Sequence, residues 1–91
     1  MSDDMRLDGN AIGGLLHEIF GREMTTSAGC CRACGTVSAL GSVHVYRRAP
    51  GDVVRCPACE TVLMVVVAAP DGLRVSFEAL RWISVPAADR S

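Results

Sequence analysis

The sequence contains no lysine and few aromatic residues. All nine basic residues are arginine, and aromatic side chains make up 4% of the 91 residues. The formal net charge is −1 at pH 7 and the isoelectric point is near 6.0. Domains that bind nucleic acid strongly are usually basic, so this composition argues against a strong general affinity for nucleic acid. With so few aromatic residues, the core has to be built mainly of small aliphatic side chains, and a core this thin favours an additional metal or covalent link.

A long apolar run and a signal peptide are also absent from the sequence. The longest apolar run, VLMVVVAAP, is far too short to span a bilayer. The N-terminal stretch MSDDMRLDGN is acidic and polar, whereas a signal peptide begins basic and continues apolar. We therefore expect a cytoplasmic protein with no membrane partner. Thiols stay reduced in that compartment, so a C-x-x-C pair there indicates a metal or redox site before it indicates a disulfide.

One amphipathic helix is expected near the N-terminus, at about residues 10–22. Apolar residues recur at i, i+3, i+4, i+7 and i+8, which places them on one face of a helix. Asp8 or Asn10 is expected to cap its start and Gly21 to mark its end. The stripe consists of Ile12, Leu15, Leu16, Ile19 and Phe20. We expect it to cover a sheet of the same chain, and docking in the groove of a partner is the alternative.

Short strands are expected in the rest of the chain. The stretch SVHVYRR alternates apolar and polar residues, and TVLMVVVAA is typical of a strand buried on both faces or nearly so. A further alternating strand is expected to point Leu73, Val75 and Phe77 inward. The alternation slips at Ala79–Leu80, which predicts a bulge or turn before a last strand.

These patterns predict a small α+β or mostly-β fold with a single domain. The expected organisation is a disordered segment at 1–7, one domain at 8–85 with a ribbon of antiparallel hairpins at about 25–85, and a tail at 86–91.

The five cysteines carry the strongest functional signal in the sequence. Cys31 and Cys34 form one C-x-x-C pair, Cys56 and Cys59 form another, and 21 residues separate the two pairs. This spacing is close to that of zinc sites built from two C-x-x-C pairs. Two residues between cysteines allow a tight turn, or knuckle, that points both sulfurs at one ion. Cys30 would leave three residues before Cys34, so we assign the other four cysteines as ligands.

A site with four cysteine ligands is expected to be structural. Protein thiolates fill all four positions of a tetrahedral Zn²⁺ site, so no position remains for a reactive water, and we do not expect an enzyme. Cys30 is expected to be a small buried apolar residue, and a reactive thiol beside the metal is the alternative. Gly35 relaxes the first knuckle because glycine tolerates positive φ, whereas Glu60 stands at the equivalent place in the second knuckle.

The knuckle motifs CRACG and CPAC, followed by a valine-rich strand, resemble the zinc-ribbon class. The chain from Leu7 to Val85 also resembles a family of small uncharacterised actinobacterial proteins, through the stretches LDGNAIGGLLHEIFGREMT, CRACG, VHVYRRAPGDVVRCPAC and VLMVVV. This resemblance implies a zinc ribbon with an N-terminal helix, and it implies no function.

We expect a non-enzymatic adaptor that binds a larger protein or complex. One alternative is a rubredoxin-like electron carrier in which the four cysteines hold iron. Rubredoxins have cores rich in aromatic residues and a longer gap between the knuckles, so the few aromatics and the short gap in this chain argue against this alternative. The other alternative is a ribbon that binds nucleic acid. Under either binding hypothesis, the candidate partner surface is the exposed knuckle and hairpin, with Arg32, Tyr46, Arg47, Arg48 and Arg55. His17 and His44 lack ligand spacing to the cysteines and are expected at the surface.

Overall fold

Eight strands and one short α-helix make up the computed structural model, which describes residues 6–48 and 51–86. The strands are β1 (Arg6–Asp8), β2 (Ala28–Cys31), β3 (Val37–Ala39), β4 (His44–Arg48), β5 (Gly51–Arg55), β6 (Val62–Ala69), β7 (Gly72–Phe77) and β8 (Leu80–Ile83). The helix is α1 (Gly13–Phe20), and two short 3₁₀ turns cover Gly9–Ile12 and Leu40–Ser42. The mostly-β content with one short helix is as the sequence predicts.

The strands form two antiparallel sheets. The larger sheet has five strands in the order β1-β4-β5-β6-β7, and the smaller has three in the order β3-β2-β8. In the larger sheet the hairpin β4–β5 pairs Val45 with Val54, and β5–β6 then pairs Val54 with Met64. These three residues therefore share one face of the sheet, and each is almost fully buried.

The N-terminal helix packs its apolar stripe against the core of the sheets. Ile12 and Leu16 are both 1% exposed, and the remaining stripe residues are half-buried against the same core. The α-helix proper is shorter than the predicted 10–22, because its first turn is a 3₁₀ turn in which the Asp8 side chain accepts a hydrogen bond from the Asn10 N–H (3.1 Å). It ends at Gly21, whose φ of 77° is left-handed and whose N–H donates to the His17 carbonyl (2.7 Å).

A glycine just before the helix allows two backbone segments to lie very close together. A Cβ atom at Gly9 would lie 1.6 Å from the carbonyl oxygen of Leu40, so no larger residue fits there without displacing backbone. The first turn thereby lies directly against the 3₁₀ turn Leu40–Ser42, which leads into β4.

Two expectations about local structure are wrong. Arg6 and Leu7, which were expected in a disordered segment, belong to β1 and pair with β4. Phe77 is 55% exposed instead of inward, because it ends the edge strand β7. The strand β6 comes close to the expected burial on both faces: Leu63 and Met64, which point to opposite sides, are both buried, whereas Val65 and Val67 are half-buried.

The predicted break near Ala79–Leu80 marks a change of sheet. The strand β7 ends at Phe77, and β8 begins at Leu80 as a member of the smaller sheet. The outer parts of the predicted terminal segments, 1–5 and 87–91, lie outside the described residues. Among the residues that the structure does describe, no helix has the length and hydropathy needed to cross a bilayer.

Candidate metal centre

Each C-x-x-C pair lies in the loop of a β-hairpin. The first knuckle joins β2 to β3. The Cys31 N–H donates to the Thr36 carbonyl (3.0 Å), and the Gly35 N–H donates to the Cys31 carbonyl (2.8 Å). Gly35 has a φ of 77°, a conformation that favours glycine. These bonds fold the loop into the tight turn that the spacing predicts.

The second knuckle joins β5 to β6 and repeats this backbone pattern. The Cys56 N–H donates to the Thr61 carbonyl (2.9 Å), and the Glu60 N–H donates to the Cys56 carbonyl (2.9 Å). Glu60 has a φ of 65°, so it adopts the left-handed conformation that Gly35 adopts in the first knuckle. The two loops therefore have equivalent hydrogen bonds although one has glycine and the other glutamate at the turning position.

The folded knuckles bring the four assigned cysteines together. Their Sγ atoms all lie within 4.8 Å of one another. The sulfurs of Cys31 and Cys59 are 3.7 Å apart, and those of Cys34 and Cys56 are also 3.7 Å apart. A tetrahedral Zn²⁺ site with Zn–S bonds of about 2.3 Å has S–S edges of about 3.8 Å, so this arrangement fits a tetrahedral metal ion.

The two short sulfur contacts each join one knuckle to the other. Cys31 ends a strand of the smaller sheet, whereas Cys56 follows a strand of the larger sheet. A metal ion at this point would therefore connect the two sheets. Cys31 and Cys56 are buried in the core, and Cys34 and Cys59 are exposed, so one side of the cluster faces solvent.

A threonine accompanies each exposed cysteine. The Cys34 Sγ lies 3.1 Å from the Thr36 hydroxyl, and the Cys59 Sγ lies 3.2 Å from the Thr61 hydroxyl. The hydrogen bond with the Thr36 side chain lowers the pKa of Cys34 to about 6, and that with Thr61 lowers the pKa of Cys59. Both thiols are thus prepared for the deprotonated form in which cysteine binds metal. These threonines are not among the residues predicted for the site, although the pattern C-x-x-C-x-T recurs in both knuckles.

Burial acts in the opposite direction on one of the inner cysteines. Desolvation raises the pKa of Cys56 to about 11. A buried thiolate needs a nearby cation, and a divalent metal ion supplies that charge while it displaces the proton. The donor set thus combines two readily ionised thiols with a thiol that ionises when metal binds.

Comparison with known proteins gives a family. The family model described as "Family of unknown function (DUF6510)" matches residues 2–88, nearly the whole chain. The chain belongs to DUF6510. No curated protein and no solved structure matches it. The family assignment thus agrees with the expected resemblance to an uncharacterised family, and membership of DUF6510 assigns no function to the four-cysteine site.

The fifth cysteine lies outside the cluster. Cys30 is 7% exposed and lies opposite Val37 on one neighbouring strand and Trp82 on the other. Its Sγ lies 3.7 Å from the Cys31 carbonyl and 3.8 Å from the Gly35 carbonyl. The burial fits the expectation of a small apolar residue at this position.

The second knuckle is tied to the outer face of the larger sheet through Glu60. Its carboxylate accepts a hydrogen bond from the Tyr46 hydroxyl (2.9 Å) and contacts Nδ1 of His44. Arg55 donates from Nη1 to the Glu60 carbonyl (2.8 Å), and its guanidinium lies 5.6 Å from the centre of the Tyr46 ring. His44, expected simply at the surface, is half-buried in this cluster, and no spacing rule in the sequence indicates this pairing.

The structure divides the predicted partner surface. Tyr46, Arg48 and Arg55 lie together on the outer face of the β4–β5 hairpin. Arg47 points to the other face, where its Nε lies 3.3 Å from the Asp52 carboxylate and its Nη2 donates to the Ala11 carbonyl (3.1 Å). Arg32 lies exposed on the first knuckle, and its N–H donates to the Ala79 carbonyl (2.7 Å). The five predicted residues thus form one group of three and two separate sites.

Proposed function

We propose that this chain is a non-enzymatic zinc-binding module of the zinc-ribbon class, which acts as an adaptor for a larger protein or complex. One Zn²⁺ ion would be held by Cys31, Cys34, Cys56 and Cys59. The observation that carries this proposal is the cluster of four sulfurs with two crosswise contacts of 3.7 Å, close to the edge of a zinc–thiolate tetrahedron.

The donor set supports a structural role for the metal. Four protein thiolates complete a tetrahedral site, so substrate or water has no open position at the ion. A structural zinc site of this kind contributes roughly 10–16 kcal/mol of binding free energy, comparable to or greater than the net stability of a small domain. The function of such a module then resides in the surfaces that the metal holds in place.

Zinc is favoured over iron because closed four-cysteine sites with this spacing are usually structural zinc sites. Elemental analysis and an absorption spectrum of the protein purified from its native host test this choice. We expect one zinc per chain and no visible absorption. Stoichiometric iron with visible thiolate-to-iron absorption would contradict the adaptor proposal and favour the electron-carrier alternative.

A pair of cysteine substitutions tests the ligand set. Cys31→Ala should abolish stoichiometric metal and the fold, because it removes a ligand that lies in the core. Cys30→Ala makes the same substitution at the neighbouring residue, and this variant should still bind one metal ion per chain. Retention of metal in Cys31→Ala together with its loss in Cys30→Ala would overturn the assignment.

Affinity capture from the native organism tests the adaptor role. The zinc-loaded chain should retain a defined protein in stoichiometric amounts, and Cys31→Ala should not retain it. If nuclease treatment releases the retained material, the nucleic-acid alternative replaces the adaptor. If neither protein nor nucleic acid is retained, the adaptor proposal is wrong.

A further inference from the structure

The outer face of the β4–β5 hairpin contains an open cleft beside the second knuckle. Its volume is about 410 Å³. We refer to it as the hairpin cleft. The residues that line it are Tyr46, Arg48, Val53, Arg55 and Glu60. Four of these come from paired positions of the hairpin, since Tyr46 is opposite Val53 and the two arginines flank that pair.

The wall of the hairpin cleft is built around a residue in an unfavourable backbone conformation. Among the described residues, Glu60 alone combines a side chain with a positive φ. A glycine would adopt this conformation without strain, as Gly35 does in the first knuckle. The glutamate gains instead the contacts of its carboxylate with Tyr46 and His44. Strain of this kind persists where the surrounding structure fixes the residue, and it concentrates at functional sites.

The two arginines of the cleft differ in their contacts. Arg55 is held by the Glu60 carbonyl and by the ring of Tyr46. The exposed guanidinium of Arg48 has no ion pair or side-chain hydrogen bond with any residue in 6–48 or 51–86. The cleft therefore offers one guanidinium that is available to a ligand, beside a fixed aromatic–arginine pair and the half-buried apolar side chain of Val53.

We propose that the hairpin cleft binds an acidic side chain of an extended segment of a partner protein. The carboxylate of that side chain pairs with the guanidinium of Arg48, and its aliphatic stem lies over Val53 and the ring of Tyr46. An arginine binds a carboxylate through two parallel N–H···O bonds, which gives direction as well as affinity. This inference rests on the proposed adaptor function and specifies the chemistry of the partner.

The charges around the cleft favour a carboxylate over a nucleic-acid backbone. Glu60 places one carboxylate in the wall, which opposes a run of closely spaced phosphates. Arg47, which would extend a basic track along the same strand, is turned to the other face and paired with Asp52. The chain carries a net charge of −1, whereas nucleic-acid binding draws on several cationic contacts at once.

The position of Glu60 links the hairpin cleft to the metal. Glu60 follows the ligand Cys59 directly, and its N–H closes the second knuckle by donating to the Cys56 carbonyl. When metal organises the knuckle, it also sets the position of the cleft wall. The zinc-loaded chain should therefore bind the acidic segment, and the metal-free chain should not.

Titration of the full zinc-loaded chain with a synthetic peptide tests the proposal. The probe is a blocked peptide in which glutamate alternates with alanine, and the readout is the amide NMR spectrum of the ¹⁵N-labelled chain. We expect shifts at Tyr46 and Val53. The dissociation constant should rise about tenfold or more when Arg48→Gln removes the bidentate partner, or when glutamine replaces glutamate in the peptide.

Arg47→Gln is the matched control, because it removes the same charge from the adjacent residue on the opposite face. It should change the dissociation constant by no more than about twofold. Equal weakening in the two variants, an absence of shifts at Tyr46 and Val53, or tighter binding of single-stranded oligothymidine at the same residues would overturn the proposal.

Failure of this inference remains distinct from failure of the adaptor function. If Arg48→Gln keeps its zinc and still captures the native partner as the unaltered chain does, the adaptor function stands and the cleft is not its binding site. If the unaltered chain captures no partner, the adaptor function itself fails.

Discussion

Glu60 shows how one residue can be unfavourable for the local backbone and favourable for the site. Its positive φ costs on the order of 1–2 kcal/mol relative to glycine. Its carboxylate contacts Tyr46 and His44 on β4, so the knuckle is attached to the sheet by a side chain that glycine lacks. The sequence shows the departure from glycine at this position, and the structure supplies the reason for it.

We predict that Glu60→Gly destabilises the zinc-loaded protein despite relieving this strain. Two lost hydrogen bonds to a partly exposed carboxylate cost about 2–3 kcal/mol, which exceeds the backbone gain of about 1–2 kcal/mol. Denaturant unfolding should show a net loss of about 1 kcal/mol. In a Tyr46→Phe background, where one bond is already absent, the loss should be smaller. A Glu60→Gly protein more stable than the original would show that the carboxylate contacts contribute little.

The threonines of the two knuckles carry a prediction about metal retention. Thr36→Val and Thr61→Val keep the shape of the side chain and remove the hydroxyl that is hydrogen-bonded to the sulfur of an exposed cysteine. Because outer partners of metal ligands affect affinity about 10–100-fold, we expect each variant to lose metal to a chromophoric chelator at about tenfold lower chelator concentration. Thr36→Ser and Thr61→Ser should behave as the original protein. Equal retention by the valine and serine variants would assign the threonines to loop packing alone.

At the scale of elements, the helix α1 acts as part of the core. Its stripe residues face the buried cluster of the larger sheet, which is the expected arrangement and not the docking alternative. The opposite side of the helix carries His17 and Glu18, which are exposed. A short helix with glycines at its start is held mainly by such packing.

Substitutions on the two sides of α1 should therefore differ in their effect on stability. Leu16→Ala removes a side chain that is 1% exposed, and it should lower the free energy of unfolding by about 2–5 kcal/mol. Glu18→Ala, on the exposed side, should change it by less than about 0.5 kcal/mol. Thermal unfolding of the zinc-loaded variants measures both. If the Leu16→Ala protein is as stable as the Glu18→Ala protein, the helix is not part of the core, and the hypothesis that it docks in a partner is favoured.

The elements that the sequence predicts are those determined by local patterns. The apolar period of the helix, the cysteine spacing and the phase slip before Leu80 each depend on residues close together in the chain, and each corresponds to an observed feature. The division into two sheets could not be predicted, because the pairing of β2 with β8 joins segments from distant parts of the sequence. The contact of His44 with Glu60 also depends on this three-dimensional arrangement, and neither residue belongs to a recognisable motif.

At the scale of the whole molecule, the four-cysteine cluster lies at the junction of two sheets that share an aliphatic core. Cys31 belongs to the smaller sheet and Cys56 follows a strand of the larger one, and both are part of the same buried cluster. Loss of the metal would leave four thiols in this junction, two of them buried. Within residues 6–48 and 51–86, the buried apolar side chains form one shared cluster, and neither sheet has a separate core that would hold it together alone.

We predict that chelation unfolds both sheets together. In the proposed zinc site the ion would contribute roughly 10–16 kcal/mol, which equals or exceeds the net stability of a small domain, so its removal should shift the equilibrium to the unfolded chain. Amide NMR signals from Val54 in the larger sheet and from Gly29 in the smaller sheet should disappear in parallel and return when zinc is added. If the signal of Val54 persists after that of Gly29 is lost, the larger sheet is independently stable.

The pairing of β2 with β8 also determines when the domain can be completed during synthesis. Cys30 lies opposite Trp82, and the Arg32 N–H of the first knuckle donates to the Ala79 carbonyl, just before β8, the last strand within the described residues. A nascent chain exposes the first pair of thiols long before these partners leave the ribosome. Until then the smaller sheet has only the short β2–β3 hairpin, which is not stable alone. The emerging chain therefore exposes the thiols of Cys31 and Cys34 during the interval in which the residues up to β8 are made.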